Sequence, residues 1–298
     1  MILNKLFHIA FGPIAFLLLF SCDGLEDMGN EETPKEIDTR YYKTIMPVVG
    51  DGSPHPQGGD CWGDLFFQFS SNNTLVKVYD LSAKALIQSI SIPPSERGFV
   101  SNCHCNTVCF GSNYYDLNDE FPLLYVSTGY GVDGYTGALV YRITKGLEGF
   151  SLTLVQTLKF PKEKSSWTEF VPAGDYGYLC YTPDRIIYKV AMPKVSDGDT
   201  IVSKEISLET FQFTQQPSWM TPSRNQDRLF YKGTIIYITG VPDAGETSAF
   251  VILNLETLTR DGILNFYDIG LYKEPESIFS WRGDICVAFV DQIVKLKL

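Results

Sequence analysis

The stretch Gly63–Pro93, GDLFFQFSSNNTLVKVYDLSAKALIQSISIP, decides the fold. It holds three short segments rich in aromatic and β-branched residues, Gly63–Phe69, Leu75–Leu81 and Ala85–Ile92, separated by polar breaks. Segments of this length and composition, with breaks of Ser, Asn and Asp, predict antiparallel strands joined by tight turns. A fourth short segment, Gly59–Trp62, leads into the first of them, so the stretch predicts a unit of four strands.

The same four-part order recurs along the chain at roughly 50-residue intervals, a spacing typical of repeat architectures. The later segments are Asn106–Phe110, Pro122–Ser127, Gly137–Ile143 and Leu152–Phe160, then Trp167–Pro172, Tyr176–Thr182, Arg185–Val190 and Ile201–Leu208, then Gln216–Thr221, Leu229–Thr239, Ala249–Leu255 and Gly262–Ile269, and finally Glu276–Trp281, Gly283–Val290 and Gln292–Leu298. The fifth unit therefore ends one strand short.

Four-stranded units in this number predict an all-β fold, a β-propeller of five blades with four strands each, in one domain over residues 41–298. The segment Tyr42–Val49 is similar to the fourth segments Gln88–Pro93 and Gln156–Pro161. We expect this N-terminal strand to complete the last blade and close the ring, which removes an exposed edge. Six blades are an alternative, because the stretches 110–122 and 190–216 could contain irregular strands. A β-sandwich is the other alternative.

The piece Leu75–Ser91, LVKVYDLSAKALIQSIS, resembles the strand–turn–strand of bacterial propellers of the YVTN and quinoprotein-like kind. The resemblance covers one blade. It implies the propeller fold and carries little about function, because one fold hosts many functions.

The N-terminus has the features of a lipoprotein signal. Leu6–Phe20 is a short apolar run preceded by Lys5, which fits a secretory signal better than a membrane-spanning helix. Leu19-Phe20-Ser21-Cys22 resembles a bacterial lipobox, which implies a signal peptide over residues 1–21 and lipidation of Cys22. The acidic run after Cys22 resembles the export signal of surface lipoproteins of Bacteroidetes-type bacteria. A plain cleaved signal peptide, with Cys22 an ordinary thiol, is the alternative.

The charge distribution restricts the partners. The chain has 24 Lys and Arg residues, 35 Asp and Glu residues and a net charge of −11. Seven of the acids and one base fall between Asp23 and Asp38, so residues 22–40 read as a solvated tether. The absence of a basic patch in the sequence argues against nucleic acid and against electrostatic binding to anionic lipid. We expect the lipid to hold the protein on the outer membrane, facing the cell exterior.

The candidate ligand site follows from the fold. The loops that lead into the innermost strands of a propeller crowd one face near the axis, where ligands tend to bind. In this chain those positions carry aromatic, amide and carboxylate side chains, which suit a glycan or a peptide. They are His55, Gln57, Asp60, Asn102, His104, Asn106, Trp167, Glu169, Gln216, Trp219, Glu274 and Glu276. The alternative is a purely structural role, in which these groups fill gaps between blades and form hydrogen bonds to neighbouring loops.

No catalytic motif of high specificity occurs in the sequence, so we expect binding without chemistry and no cofactor or metal. Two enzyme hypotheses stay open. Asp60, Glu169 and Glu276 could converge as the acids of a glycoside hydrolase. The string His55-Pro56-Gln57-Gly58-Gly59 resembles the first-blade motif of propeller-type glutaminyl cyclases, five-bladed enzymes that need a buried acid and a metal. A further alternative is an interaction subunit of an outer-membrane protein complex.

Six cysteines follow Cys22, and the repeats predict that most are small buried thiols. Cys61 and Cys109 lie at equivalent positions of two units, and Cys180 and Cys286 lie within strands, so these four should be far apart around the ring. Cys103-His104-Cys105 is the exception. A disulfide or a structural metal there is an alternative to plain thiols.

Overall fold

The computed structural model describes residues 39–49, 55–98, 104–129, 135–161, 167–182, 186–213 and 224–298. The predicted signal peptide, Cys22 and nearly all of the tether lie outside these ranges. Within them the chain is almost entirely β-structure, with short 3-10 helices at Pro94–Glu96, Val195–Asp197, Lys204–Ile206, Pro242–Ala244 and Tyr267–Ile269. No helix in the described ranges is both long and apolar enough to cross a membrane.

The strands form five antiparallel four-stranded sheets, which are the blades of a propeller. Named from the innermost strand outwards, blade 1 is β2 (Pro56–Trp62), β3 (Leu65–Ser70), β4 (Leu75–Asp80) and β5 (Ala85–Ser91); blade 2 is β6 (Cys105–Phe110), β7 (Leu124–Thr128), β8 (Tyr135–Gly146) and β9 (Gly149–Pro161); blade 3 is β10 (Trp167–Ala173), β11 (Tyr176–Thr182), β12 (Ile186–Ala191) and β14 (Glu209–Gln212); blade 4 is β15 (Asn225–Tyr231), β16 (Thr234–Thr239), β17 (Ala249–Asn254) and β18 (Thr259–Asn265); and blade 5 is β19 (Pro275–Trp281), β20 (Asp284–Phe289), β21 (Gln292–Leu296) and β1 (Tyr42–Pro47). A two-residue strand, β13 (Thr200–Ile201), adds to the edge of blade 2.

Recurring turn chemistry joins the strands. Between β4 and β5, Asp80 Oδ1 accepts hydrogen bonds from the backbone amides of Ser82 and Ala83 at 2.9 and 2.8 Å. The equivalent turn of blade 4 uses Asn254 Oδ1 in the same way, at 2.9 and 3.0 Å. Both side chains form the Asx turn that Asp and Asn favour, so the repeat seen in the sequence is also a repeat of local structure.

Five apolar clusters hold the ring together, one between each pair of neighbouring blades. Aromatic side chains are prominent in all five, and those of four clusters include fully buried rings. Phe66 of blade 1 stacks on Phe279 of blade 5 with ring centroids 4.3 Å apart, and Tyr125 of blade 2 packs on Phe170 of blade 3 at 5.6 Å. Because each blade buries both faces against its neighbours, the stability of the fold depends on ring closure.

The ring closes as the sequence predicts. Strand β1 pairs antiparallel with β21, from Tyr42 opposite Leu296 to Pro47 opposite Gln292. The last blade therefore takes its outermost strand from the N-terminal end of the domain. Five blades of four strands, closed by an N-terminal strand, confirm the predicted fold class.

Two predicted segments differ from the structure. The outermost strand of blade 3 is β14, not Ile201–Leu208; part of that stretch is a 3-10 helix, and Ile201 pairs with blade 2. In blade 4 the run Leu229–Thr239 is two strands, because Lys232 and Gly233 form a turn with φ of 47° and 81°. Both positive φ angles are typical of a type I′ hairpin, which lets strands follow one another without an extended loop.

Candidate functional site

One cavity of about 310 Å³ lies where the five innermost strands begin. We call it the channel-mouth cavity. Every blade contributes to it, from the first residue of an innermost strand or the residues beside it, and the loops β3–β4 and β16–β17 add one residue each. The lining residues are His55, Gln57, Ser71, His104, Trp167, Arg224, Asn225, Gln226, Val241 and Glu274. A cavity of this size can take a single sugar ring or one residue of a peptide.

Strand irregularities at this end aim the side chains. The ladders of β2, β6, β15 and β19 with their neighbours all shift register near the mouth, for example between Pro56 and Gly59 and between Pro275 and Ser277. Such bulges turn side chains out of the regular alternation and often occur beside functional sites. At Gly58 a Cβ atom would lie 2.2 Å from the Asn106 carbonyl oxygen, so the glycine allows β2 to approach β6.

The sequence-predicted residues fall into three groups. His55, Gln57, His104, Trp167 and Glu274 line the cavity, and Glu276 is fully buried next to two of them. Asp60, Asn106 and Glu169 are buried and do not line it. Asn102, Gln216 and Trp219 lie outside the described residues.

Glu276 is the buried acid of the mouth. Its Oε2 accepts a hydrogen bond from Gln57 Nε2 at 2.8 Å, and its Oε1 lies 3.3 Å from His55 Nδ1. Burial, followed by repulsion from Glu274 and Asp227, raises the pKa of this carboxyl well above its ordinary value. His55 is exposed, so the pair joins a buried acid to a solvent-facing imidazole.

Glu274 stands beside Glu276 and is half-buried. Its Oε1 accepts a hydrogen bond from Gln226 Nε2 at 2.6 Å. Burial raises the pKa of Glu274, while His55 and the bond from Gln226 act in the opposite direction. Arg224, also on the lining, forms an ion pair with Glu246 at 2.9 Å. The mouth therefore presents carboxylates together with amide groups held in fixed positions.

One wall of the cavity is aromatic. The rings of Trp167 and His104 lie 5.7 Å apart at 66°. Gly129 makes room for the indole, because a Cβ there would lie 3.1 Å from a Trp167 ring atom. Burial, with the neighbouring His55 and Arg224, lowers the pKa of His104, which keeps this imidazole neutral beside the indole. A flat apolar face next to directed polar groups is the arrangement that sugar and peptide ligands require.

The acids deeper in the channel tie blades together. Asp60 of blade 1 accepts hydrogen bonds from the backbone amides of Cys61 and Phe110, both at 2.7 Å, and Phe110 belongs to blade 2. Glu169 of blade 3 forms a buried ion pair with Arg228 of blade 4. Of the three acids of the hydrolase hypothesis, Glu276 alone contacts groups that line the channel-mouth cavity in the described part of the chain. Asp60 and Glu169 lie deeper, where burial first and then both of these acids raise the pKa of Asp227.

Asp227 is a central acid that the sequence analysis missed. Its Oδ1 accepts from the amides of Val108 and Arg228 at 3.3 and 2.7 Å, and its Oδ2 accepts from Ile278 at 3.0 Å. It thus joins blades 2, 4 and 5. The signal available in the sequence is weak: like Asp60 of blade 1, Asp227 is an acid a few residues before a run rich in aromatic residues.

The thiols are free, as predicted, but they are not all far apart: Cys61 and Cys286, and Cys109 and Cys180, lie close enough for one to raise the pKa of the other. Cys109, Cys180 and Cys286 are buried and unpaired, and Cys61 is an unpaired, partly buried thiol. Burial is the largest influence on each of these thiols and raises the pKa of all four. None of them is therefore activated as a nucleophile. Cys103, on which the disulfide and metal alternatives depend, lies outside the described residues.

A second, larger cavity of about 750 Å³ lies at the other end of the strands, between blades 2 and 3. It is formed by the β6–β7, β10–β11 and β12–β14 connections, and its walls include Tyr114, Tyr115, Tyr125 and Met192. It is aromatic and open, and the described lining carries one acid, Asp175, and one base, Lys194.

Comparison with known proteins gives the fold and no family. No protein-family model matches the chain, and no curated protein matches it in sequence. Among solved structures it is similar to the glutaminyl cyclase of Myxococcus xanthus, with a TM-score of 0.53 and 10% identity over 86% of this chain and 95% of the cyclase. At this identity the similarity supports the propeller fold alone.

Two further structures superpose less well. A protein of unknown function from Bacteroides caccae gives a TM-score of 0.39 at 13% identity, over 78% of this chain and 69% of that one. BamB from Moraxella catarrhalis gives 0.32 at 8% identity, over 84% and 56%. These scores are too low to bear on the function of the present chain.

Proposed function

We propose that this propeller is a binding protein that takes the terminal sugar of a glycan into the channel-mouth cavity, without catalysis. The observation that carries the proposal is the composition of the cavity: the indole of Trp167 lines it together with amides and a carboxylate that hydrogen bonds already hold in place. A sugar ring stacks on the indole, and its hydroxyls bond to Gln57, Gln226 and Glu274. Prior ordering of these groups lowers the entropy cost of binding.

The proposal includes a location. A lipid on Cys22 would hold the protein on the outer membrane, with the acidic tether of residues 22–40 placing the propeller at the cell exterior. The apolar run before Cys22 and the acids after it support this part of the proposal. Incorporation of labelled fatty acid in the wild type but not in Cys22→Ala tests it; equal labelling of both would contradict it.

A second candidate is an enzyme that cyclises N-terminal glutamine. It is favoured by one observation, the buried carboxyl of Glu276 beside a cavity that can hold one amino-acid residue. The glutaminyl cyclase of Myxococcus xanthus has the same fold, which supports the architecture of this candidate and not its chemistry.

Glycan-array screening followed by calorimetry with the best glycan tests the proposal. We expect Trp167→Ala to weaken binding by about tenfold or more, because it removes a stacking face worth about 1.5 kcal/mol. Trp62→Ala is the matched control, since Trp62 is partly exposed at the opposite end of β2. No binding to any glycan, or equal loss in both variants, would contradict the proposal. Turnover of glutamine peptides would favour the second candidate.

A further inference from the structure

Three metal-ligating groups meet at the channel mouth. The imidazole of His55 and the carboxylates of Glu274 and Glu276 each offer one ligand atom, and these atoms all lie within 4.8 Å of one another. His55 precedes β2, Glu274 precedes β19 and Glu276 is its second residue, so the group is assembled by neighbouring innermost strands of blades 1 and 5. Its residues range from exposed, at His55, to fully buried, at Glu276.

A second observation points to a ligand at this place. Glu276 Oε1 is buried and accepts no hydrogen bond from any described residue, and its nearest partner is His55 Nδ1 at 3.3 Å. The other oxygen of the same carboxylate is bound by Gln57. A buried carboxylate oxygen without a hydrogen bond is costly, and such groups are usually paired or coordinate a metal.

Neighbouring amides hold both acids in position. Gln57, which is 2% exposed, donates to Glu276, and Gln226 donates to Glu274. The Oε1 atom of Gln57 is also buried without a hydrogen bond in the described part of the chain. Carboxylates that ligate metals are commonly fixed in this way by hydrogen bonds from an outer shell.

An ion pair between His55 and Glu276 does not by itself explain why a second acid, Glu274, lies beside them. His55 Nδ1 lies 2.9 Å from the carbonyl oxygen of Pro56, to which it donates, so this nitrogen is shared between that oxygen and Glu276 Oε1. Glu274 places a second carboxylate within 4.8 Å of both groups. The nearby Arg224 is engaged by Glu246. A cation bound between the two acids balances the charges of the group.

We propose that His55, Glu274 and Glu276 bind one divalent cation at the channel mouth. One nitrogen and two carboxylate oxygens suit Mn²⁺ or Zn²⁺. Three protein ligands leave coordination positions open, as in sites where a metal contacts a ligand directly. The inference deepens the proposed function, because those positions face a cavity that a sugar hydroxyl would enter; that role rests on the proposed function, whereas the cation site does not.

Titration with Mn²⁺ alone tests the site. The full chain, in detergent and freed of metal with a chelator, is titrated by calorimetry and by electron paramagnetic resonance. Mn²⁺ is the appropriate ion because cysteine side chains such as that of Cys61 compete for it less than for softer metals. We expect saturation at one ion per chain, with nitrogen hyperfine coupling in pulsed spectra from the His55 ring. Failure to saturate would overturn the proposal.

Four variants complete the test. Glu276→Gln, Glu274→Gln and His55→Gln should each weaken Mn²⁺ binding by at least the ~10–100-fold expected for loss of an outer-shell partner. Glu256→Gln is the control, because it removes the same charge from an exposed turn between β17 and β18. Circular dichroism checks folding, and Glu274→Gln, at a half-buried position, keeps the test valid if Glu276→Gln does not fold. Wild-type affinity in all three site variants would overturn the proposal.

The titration is done without glycan, so the two proposals fail separately. Specific Mn²⁺ binding with no glycan bound at any metal concentration would leave the cation site and remove the proposed function. Glycan binding that persists in the presence of chelator, with no Mn²⁺ bound, would leave the proposed function and remove the cation site.

Discussion

The interior of the channel and its mouth both hold buried acids, but the two regions use them differently. In the interior, Asp60 and Asp227 accept hydrogen bonds from backbone amides of neighbouring blades, and Glu169 neutralises a buried guanidinium. At the mouth, Glu276 keeps one oxygen without a hydrogen bond and shares its surroundings with a second acid. Glu169 also keeps one oxygen, Oε1, without a hydrogen bond in the described part of the chain. The two regions therefore differ in what the carboxylates face: Glu169 faces an arginine, whereas Glu276 faces a second acid and an exposed imidazole.

The largest expected effect is a loss of stability from a substitution in the channel interior. Glu169→Gln removes the charge that neutralises buried Arg228 and should lower the free energy of unfolding by about 3–5 kcal/mol, the usual cost of breaking a buried ion pair from one side. Guanidinium denaturation measures it. Mn²⁺ affinity should stay within about twofold of wild type, because Glu169 does not line the cavity. A stability loss below about 1 kcal/mol would mean that the interior acids are not structural.

The fold could be predicted because its signals are local. The break after Asp80 carries an Asx turn, and the runs that become β2, β6, β10 and β19 stand out as short lead-in segments before each blade. The innermost strand of blade 4 is Asn225–Tyr231, not the predicted Gln216–Thr221, because the two-residue turn at Lys232-Gly233 divides the run Leu229–Thr239 without adding a loop. The same error hid Asp227, which lies just ahead of that run.

The site could be predicted only as far as which loops converge. Asp60 and Glu276 occupy similar places, near the starts of innermost strands, and the sequence gives no reason to treat them differently. Their roles diverge because the amide of Phe110, from the next blade, reaches Asp60, whereas an amide side chain and an imidazole reach Glu276. Such contacts depend on strand bulges and on register between blades, which have no signal in a single strand.

An effect of intermediate size is the pH dependence of stability that Asp60 causes. Burial raises the pKa of Asp60 from 3.8 to about 7, against the two amide bonds that lower it. A raised pKa in the folded state means that the stability contributed by the protonated form is complete below about pH 4 and is lost as the pH rises to about 7. We expect the wild type to lose up to about 4 kcal/mol relative to Asp60→Asn across this window.

Denaturation of both proteins at several pH values measures that difference. Asp227 and the thiols of Cys61 and Cys109 also face Asp60, so the difference between the two proteins reports the titration of Asp60 together with its coupling to Asp227. Parallel pH profiles would show that the hydrogen bonds from Cys61 and Phe110 keep Asp60 ionised throughout.

The smallest expected effect lies at the mouth, and it makes the comparison sharpest. Glu274→Gln, in metal-free protein, should change the free energy of unfolding by no more than about 0.5–1 kcal/mol, and toward greater stability, because it removes a like charge beside buried Glu276. The amide oxygen of the new side chain can still accept from Gln226. The Glu256→Gln control should show no change. We expect Glu169→Gln to alter stability and to leave Mn²⁺ binding intact, so the opposite pattern in Glu274→Gln would establish that the two regions are separable. A loss above about 2 kcal/mol would instead make Glu274 a structural acid like those of the interior, and the unoccupied oxygen of Glu276 would then be a consequence of packing rather than a place for a ligand.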